Sequence, residues 1–204
     1  MITLIIIALT VITSMAAFNS EETKRNLIFY PYGIKRLKEY YRFLSSGFIH
    51  ADGMHLFFNM FVLYYAGTAV ENYYGHFLEP AGNLAYLLLY FGGMIAADIT
   101  VYIKHQEHSW YKSLGASGAV SAVMFASILF DPLNEWYLFF IPIGIPGIIM
   151  GIGYLGYSAW AAKNANDNIG HEAHFYGAIF GIVITILLYP KVVTRFINQI
   201  MGGV

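Results

Sequence analysis

The sequence predicts an all-α membrane protein, because charge is scarce, apolar runs are long, and aromatics gather near the ends of those runs. Of 204 residues, 58% are hydrophobic and only 11% are charged. A soluble domain of ordinary composition carries about 25% charged residues. Half that amount leaves too little polar surface to hold a globule in water, so lipid is the expected solvent. The 17 Tyr and 16 Phe suit an interfacial belt. A net charge of −1 gives no basis for nucleic-acid binding. There are no cysteines, which excludes disulfides, thiolate metal sites and cysteine nucleophiles.

Charged and turn residues divide the chain into six apolar stretches: residues 1–18, 53–71, 83–103, 115–130, 136–162 and 171–189. Backbone polar groups in hydrocarbon must be paired within the segment, so each stretch is expected to be a helix. Barrel strands would be half as long and would alternate in polarity. The first stretch has no charge and lacks the basic start of a signal peptide, which favours a retained helix. Residues 19–49 hold six of the eleven Lys and Arg among Tyr, Phe and Leu, the makeup of short amphipathic pieces lying on the membrane surface. Pro142, Pro146 and several glycines predict a kink in the fifth stretch. With no repeat and no low-complexity linker, residues 1–204 read as one membrane domain.

Few polar residues interrupt the apolar stretches: His55, Asn59, Asp98, Ser117, Ser121, His171, Glu172 and His174. Each either ties two helices together or serves a function. Ser117 stands at the start of its helix between Gly115 and Gly118, where glycine permits a tight turn. The unpaired N–H groups of a first helical turn favour a developing negative charge. A serine hydroxyl needs a base, and His174 on another helix is a suitable one. Gly177, Ala178 and Gly181 share a face with His174 and would allow close helix approach. His55 and Asn59 are four residues apart on one side of the second helix, and both can donate to an oxyanion. Asp98 is given no catalytic role.

These residues resemble the rhomboid family of intramembrane serine proteases. Gly115-Ala116-Ser117-Gly118 looks like its nucleophile motif. Ala173-His174-x-x-Gly177-x-x-x-Gly181 resembles its sixth helix. His50, His55 and Asn59 have the His-x4-His-x3-Asn spacing of its second helix, and Gly67-x-x-x-Glu71 resembles that helix's end. Tyr41-Arg42 stands where the family has Trp-Arg. Ser121 occupies a position where some members carry an aromatic that packs on the catalytic histidine, so another residue would have to supply that packing here. The resemblance implies a six-transmembrane-helix rhomboid-like bundle with a membrane-surface first loop and a water-filled cavity. By the same resemblance Ser117 is the nucleophile and His174 the general base and acid. His55, Asn59 and the Ser117 backbone N–H would hold the oxyanion, with His50, Arg42, Gly115, Gly118, Gly177 and Gly181 in support. Neither cofactor nor metal is called for. The expected partners are the bilayer and transmembrane protein substrates, cut in or next to their spanning helix.

Other readings stand beside this one. His171-Glu172-Ala173-His174 resembles the zinc motif His-Glu-x-x-His but is one residue short, and it lacks a third ligand. A non-catalytic relative that binds membrane helices would share the fold, although such relatives typically lack the serine or the histidine. A transporter would need repeated halves with matching broken helices, and none are present. The family layout in a bacterial cell membrane faces the cavity outward. It puts Lys104, Lys112, Lys163 and the six basic residues of the first loop outside, leaving Lys191 and Arg195 inside. The positive-inside rule prefers the reverse. Substrate entry is expected to move the second or fifth helix, or residues 163–170 after the fifth.

Overall fold

Apolar runs set between polar turns become helices in the computed structural model, which describes residues 1–137, 142–165, 167 and 169–202. In chain order the helices are α1 (Ile2–Phe18), α2 (Glu21–Leu27), α3 (Pro31–Leu37) and α4 (Arg42–Ser45), followed by a 3-10 turn, Ser46–Phe48. Then come α5 (Gly53–Phe77), α6 (Gly82–His105) and α7 (Ser117–Phe130). A short antiparallel pair, β1 (Glu135–Tyr137) and β2 (Gly144–Pro146), precedes α8 (Gly147–Asn164), α9 (His171–Leu188) and α10 (Lys191–Ile200).

The bundle is built around α7. All of its 14 residues except Ser117 and Leu129 are buried, so it has no solvent or lipid face. A helix apolar on every side belongs in the middle of a bundle. Small residues let its neighbours come close. A Cβ on Gly177 of α9 would lie 2.2 Å from the Gly118 carbonyl oxygen, and one on Gly181 would lie 2.2 Å from that of Ala122. On the α6 side, a Cβ on Gly93 would meet the Ala122 Cβ at 2.5 Å. Backbone meets backbone across α7 and α9.

Polar side chains on α1 follow one stripe, with Thr3, Thr10 and Ser14 buried alongside Ile6 and Ala17 against α5. Leu4, Ile5, Leu9 and Ile12 are left exposed, as suits contact with lipid. Glu71 of α5 accepts from the Ile2 N–H at 2.7 Å, the Thr3 N–H at 3.0 Å and the Thr3 hydroxyl at 2.8 Å, filling the orphan donors of the α1 N-terminus. The first loop forms the short helices its composition suggests. Ser20 caps α2 through the Thr23 N–H, and Pro31 opens α3. Buried Arg42 holds these pieces together. It donates to Glu39 at 2.7 Å and to the carbonyls of Arg25 and Ile28 at 3.0 and 2.8 Å. Asp98, unexplained in the sequence, lies near Ser46 of this loop.

Three boundaries depart from expectation. The fifth stretch is not one helix from Trp136. It starts as a strand pair in which Glu135 faces Pro146 and Tyr137 faces Gly144, and helix begins only at Gly147. Proline has no N–H to give and pushes its predecessor out of the α region, so Pro142 and Pro146 delay the helix rather than kink it. Residues 138–141 of that stretch lie outside the described residues. Next, α5 runs past Glu71 to Phe77. Finally, α10 follows Pro190, with Arg195 and Gln199 donating to the Phe130 carbonyl at 3.0 and 2.9 Å across the C-terminal end of α7. By length and composition two helices suffice to cross a membrane, α6 with 24 residues and α9 with 18, while α1 and α7 are apolar but shorter. The fold is thus mainly helical with two clear span candidates among the described residues. The count of six spans belongs to the proposal below.

The α7–α9 contact yields a stability prediction. Gly181→Ala forces its new methyl against the Ala122 backbone and should destabilise the bundle by about 1–3 kcal/mol. Gly153→Ala on α8, where a Cβ meets nothing within 4 Å, should leave stability unchanged or slightly raised. Unfolding midpoints of the two variants in the same detergent check the difference.

Candidate active site

The approach to Ser117 is fixed by backbone and imidazole together. Gly115 has φ +118°, a left-handed conformation that favours glycine. A Cβ there would lie 2.7 Å from His55 Cε1 and 2.9 Å from Nε2, so glycine also makes room for that ring. The Gly115 N–H donates to the Ser46 carbonyl at 3.0 Å, and the Ala116 N–H reaches His50 Nε2 at 3.4 Å. These bonds pin the loop as it turns into α7. Among the described residues no side chain caps that helix, which leaves the N–H groups of its first turn, including that of Ser117, open to a ligand.

His50 is a structural partner of this turn. Its Nε2 accepts from Ala116, so Nδ1 carries the proton and donates to Ser14 Oγ at 3.0 Å, and Ser14 in turn donates to the Phe48 carbonyl at 3.0 Å. Only a neutral imidazole can both accept and donate. Burial is the main reason its pKa is pushed down from 6.5 to about 3, and the nearby His55 adds to the effect.

His55 and Asn59 occupy one side of α5. Asp52 caps that helix by accepting from the His55 N–H at 2.8 Å, and the His55 ring stands edge-on to His50 with centroids 4.9 Å apart. Asn59 is buried and spends one amide hydrogen on the His55 carbonyl at 2.9 Å. Its second amide hydrogen remains for another acceptor.

His174 lies in the first turn of α9, one residue after Ala173 and three before Gly177. Both of those neighbours face Gly118: the Gly118 Cβ position is 3.7 Å from the Ala173 carbonyl oxygen, and the Gly177 Cβ position is 2.2 Å from the Gly118 oxygen. Ser117 and His174 therefore sit on adjoining turns of two touching helices, with the His55 ring against Gly115 just before Ser117. Among the described residues no hydrogen bond joins Ser117 to His174. Catalytic hydrogen bonds in substrate-free enzymes are often long and tighten only when substrate is bound. Both residues are half-buried.

One contact was not identified from the sequence. Tyr154 of α8 lies nearly parallel to the His174 ring, with centroids 6.1 Å apart and planes 25° apart, and its hydroxyl is 2.6 Å from Ser121 Oγ. The small residue at position 121 was the available signal, but nothing in a linear sequence told which of 33 aromatics besides the Trp residues would answer it. The residues resembling a zinc motif diverge in their partners. His171 pairs with Asp167 at 3.1 Å and Glu172 with Lys104 at 2.8 Å, and both line a cavity of about 140 Å³ with Tyr111 and Gly170. His174 packs on Tyr154 and meets the His171 ring edge-on, with centroids 6.0 Å apart. Arg42 lies back in the first loop, as a brace rather than a site residue.

Residues 37–191 match the sequence profile of the Rhomboid domain, a span from the end of α3 through the whole of α9. The chain belongs to the rhomboid family. It is similar to RHOMBOID-like protein 12, mitochondrial, of Arabidopsis thaliana, at 32% identity over 152 residues, which is 66% of this chain and 42% of that protein. Rhomboid protease GluP of Bacillus subtilis is 36% identical over 142 residues, 70% of this chain and 25% of the relative. Rhomboid protease GlpG of Haemophilus influenzae is 29% identical over 184 residues, 89% and 88% of the two chains. The chain thus spans less than half the length of the first two relatives and most of the third. Rhomboid relatives are integral membrane proteins, which agrees with the exposed apolar faces of α1, α6 and α9.

The neutral state of His50 makes stability depend on pH. Between pH 6.5 and about 3 the unfolded chain binds a proton at this imidazole that the folded chain does not. This contribution is complete above pH 6.5 and is lost as pH falls, at up to about 1.4 kcal/mol per pH unit. Unfolding midpoints measured from pH 7 to pH 4 should fall, and fall less steeply in His50→Gln. Equal slopes would show that His50 is not the group responsible.

Proposed function

We propose that this rhomboid is an intramembrane serine endopeptidase working through a Ser117–His174 dyad. The observation that carries this reading is the contact of α7 and α9 through Gly118 and Gly177, which sets the uncapped first turn bearing Ser117 beside the turn bearing His174. His174 takes the Ser117 proton as Oγ attacks a peptide carbonyl. The Ser117 N–H, the His55 ring and the second amide hydrogen of Asn59 hold the tetrahedral oxyanion. His174 then protonates the departing amine, and water enters to hydrolyse the acyl-enzyme. No carboxylate is needed where packing orients the imidazole. The substrates proposed are single-pass membrane proteins cut in or beside their spanning helix. That helix must unwind first, because a helical peptide bond is already hydrogen-bonded and shielded.

The proposed setting is one membrane domain of six spans, α1, α5, α6, α7, α8 and α9, in a bacterial cell membrane with the site facing outward. Buried α7 fits a central span whose N-terminus lies below the membrane surface. The first loop, folded back and tied by Arg42, is a surface element rather than a free translocated tail. That is why its basic residues carry less weight than the positive-inside rule gives them. A reporter fused at the C-terminus should report the cytoplasm, and an external signal would reverse the layout. Substrate entry by displacement of α8 suits its edge position, with Ile149, Ile152, Tyr157 and Trp160 all exposed. Of the loop after it, Ala165, Asp167, Ile169 and Gly170 are described, whereas residues 166 and 168 lie outside the described residues.

A second reading, a membrane-helix binder without catalysis, draws on the lack of a Ser117–His174 hydrogen bond in this structure. Cleavage of a model single-pass substrate in proteoliposomes separates the two. Ser117→Ala and His174→Ala should abolish cleavage, and His55→Ala should lower kcat by about 10²-fold. A fluorophosphonate should label the parent chain and not Ser117→Ala. Labelling that survives in Ser117→Ala, or cleavage by the His174→Ala variant at the parent rate, would overturn the dyad.

A further inference from the structure

The base His174 needs something to hold its ring, and among the described residues no carboxylate from another element is bonded to it. Two rings flank it: His171 of its own helix stands edge-on with centroids 6.0 Å apart, and Tyr154, from a different helix, lies nearly parallel. The Tyr154 ring lies 6.1 Å from the imidazole centroid at 25°. Its hydroxyl is fixed in turn by buried Ser121 at 2.6 Å, one turn into the helix that begins with Ser117. A chain of contacts therefore runs from the nucleophile's own helix, through Ser121 and Tyr154 on α8, to the imidazole on α9. Gly151 marks how α8 approaches along this line: a Cβ there would meet Ile128 Cδ1 and Phe125 Cε1 of α7 at 3.3 Å each. Elsewhere α8 is loosely held, docked on α9 with much of its surface exposed.

We propose that Tyr154 is a positioning residue for His174, and that the base is oriented only while α8 is docked on the Ser121 hydroxyl. The claim rests on the dyad reading above and deepens it. Stacking limits the imidazole to rotation within its own plane, and the Ser121 bond keeps the tyrosine from sliding off. Moving α8 outward carries Tyr154 with it and breaks both contacts at once, so the site loses its oriented base while the side opens. Chemistry then waits until α8 returns. This device follows from the position of the tyrosine: an aromatic on α7 itself would stay beside His174 whatever α8 did.

The test compares Tyr154→Phe, Tyr154→Leu, Tyr154→Ala and Ser121→Ala with the parent chain in proteoliposomes. It reads kcat, KM and the rate of fluorophosphonate labelling, the last of which needs no entry of a substrate helix. Tyr154→Leu and Tyr154→Ala should lower both kcat and the labelling rate by about 10- to 100-fold, since misplacement of a catalytic group by about 1 Å carries a loss of that order. KM should stay within about twofold, because the ring is assigned to the base and not to substrate binding. Tyr154→Phe and Ser121→Ala, which both keep the ring and both lose the bond between the two hydroxyls, should lie together between the parent and Tyr154→Ala. A change in KM with the labelling rate untouched would overturn the proposal and make Tyr154 part of the entrance alone. Tyr154→Leu matching Tyr154→Phe would overturn the stacking. Ser117→Ala, run in parallel, keeps the two claims apart. If it still reacts, the dyad falls and this proposal with it. If it is inert while Tyr154→Ala reacts at the parent rate, only the positioning role falls.

Discussion

The backbone contact between α7 and α9 is the constraint on which the remaining geometry depends. In lipid, apolar side chains gain little by leaving one hydrocarbon neighbour for another, so helices associate through close van der Waals packing and polar ties. Gly177 and Gly181 bring the α9 backbone onto the carbonyls of Gly118 and Ala122 with no space for a methyl. At that separation a short side chain on one helix can serve a ring on the other. Were both glycines larger, the helices would stand apart and the first turn of α7 would lose its place beside His174. The close approaches at Gly118, Ala119 and Ala122 suit small residues there, while Met124, Phe125 and Ile128 are buried on the other sides of α7.

A second layer of order comes from polar groups deprived of water. Away from water an unpaired donor or acceptor is costly, so these groups find partners in the protein. The links Ala116 to His50 to Ser14 to Phe48 tie the turn before Ser117 to α1 and to the first loop. Thr3 bonds Tyr86 at 2.8 Å, joining α1 to α6, and Tyr74 bonds Thr185 at 2.8 Å, joining α5 to α9. Arg42 holds the loop together on the same flank. The turn before Ser117 is therefore braced from the loop side by bonds that each remove a degree of freedom.

Much of this could be read from the sequence, and the reasons differ by feature. Ser117, His174, His55 and Asn59 stand out because polar residues are rare in apolar runs, and their spacing places them on definite helix faces. Gly177 and Gly181 follow from the same periodicity. The structure brings these residues to one region, which spacing alone could not do. The strand pair before α8 escaped notice because hydropathy does not distinguish a buried helix from an apolar hairpin, and Pro142 and Pro146 suggested a bend rather than a late start. The amphipathic α10 was lost behind Pro190, where the apolar signal ends. Tyr154 could not be found at all. Its importance is a matter of which ring faces His174 across two helices, and no local pattern encodes such a pairing.

The site is thus held unevenly, and that asymmetry bears on how a substrate could reach it. On the loop side, hydrogen bonds converge on residues 46, 50, 115 and 116, and opening there would leave several buried polar groups without partners at once. On the α8 side the surface is apolar and largely exposed, and the principal polar tie to the α7 helix is Ser121 with Tyr154. Regions with few buried contacts and few polar ties are the ones that open at small cost in free energy. A membrane helix arriving through lipid would replace one apolar neighbour of α8 with another, and among the described residues the side-chain tie broken on that flank is the Ser121–Tyr154 pair. Because that pair also carries the ring stacked on His174, the flank that yields most readily is the one whose closure would complete the proposed dyad.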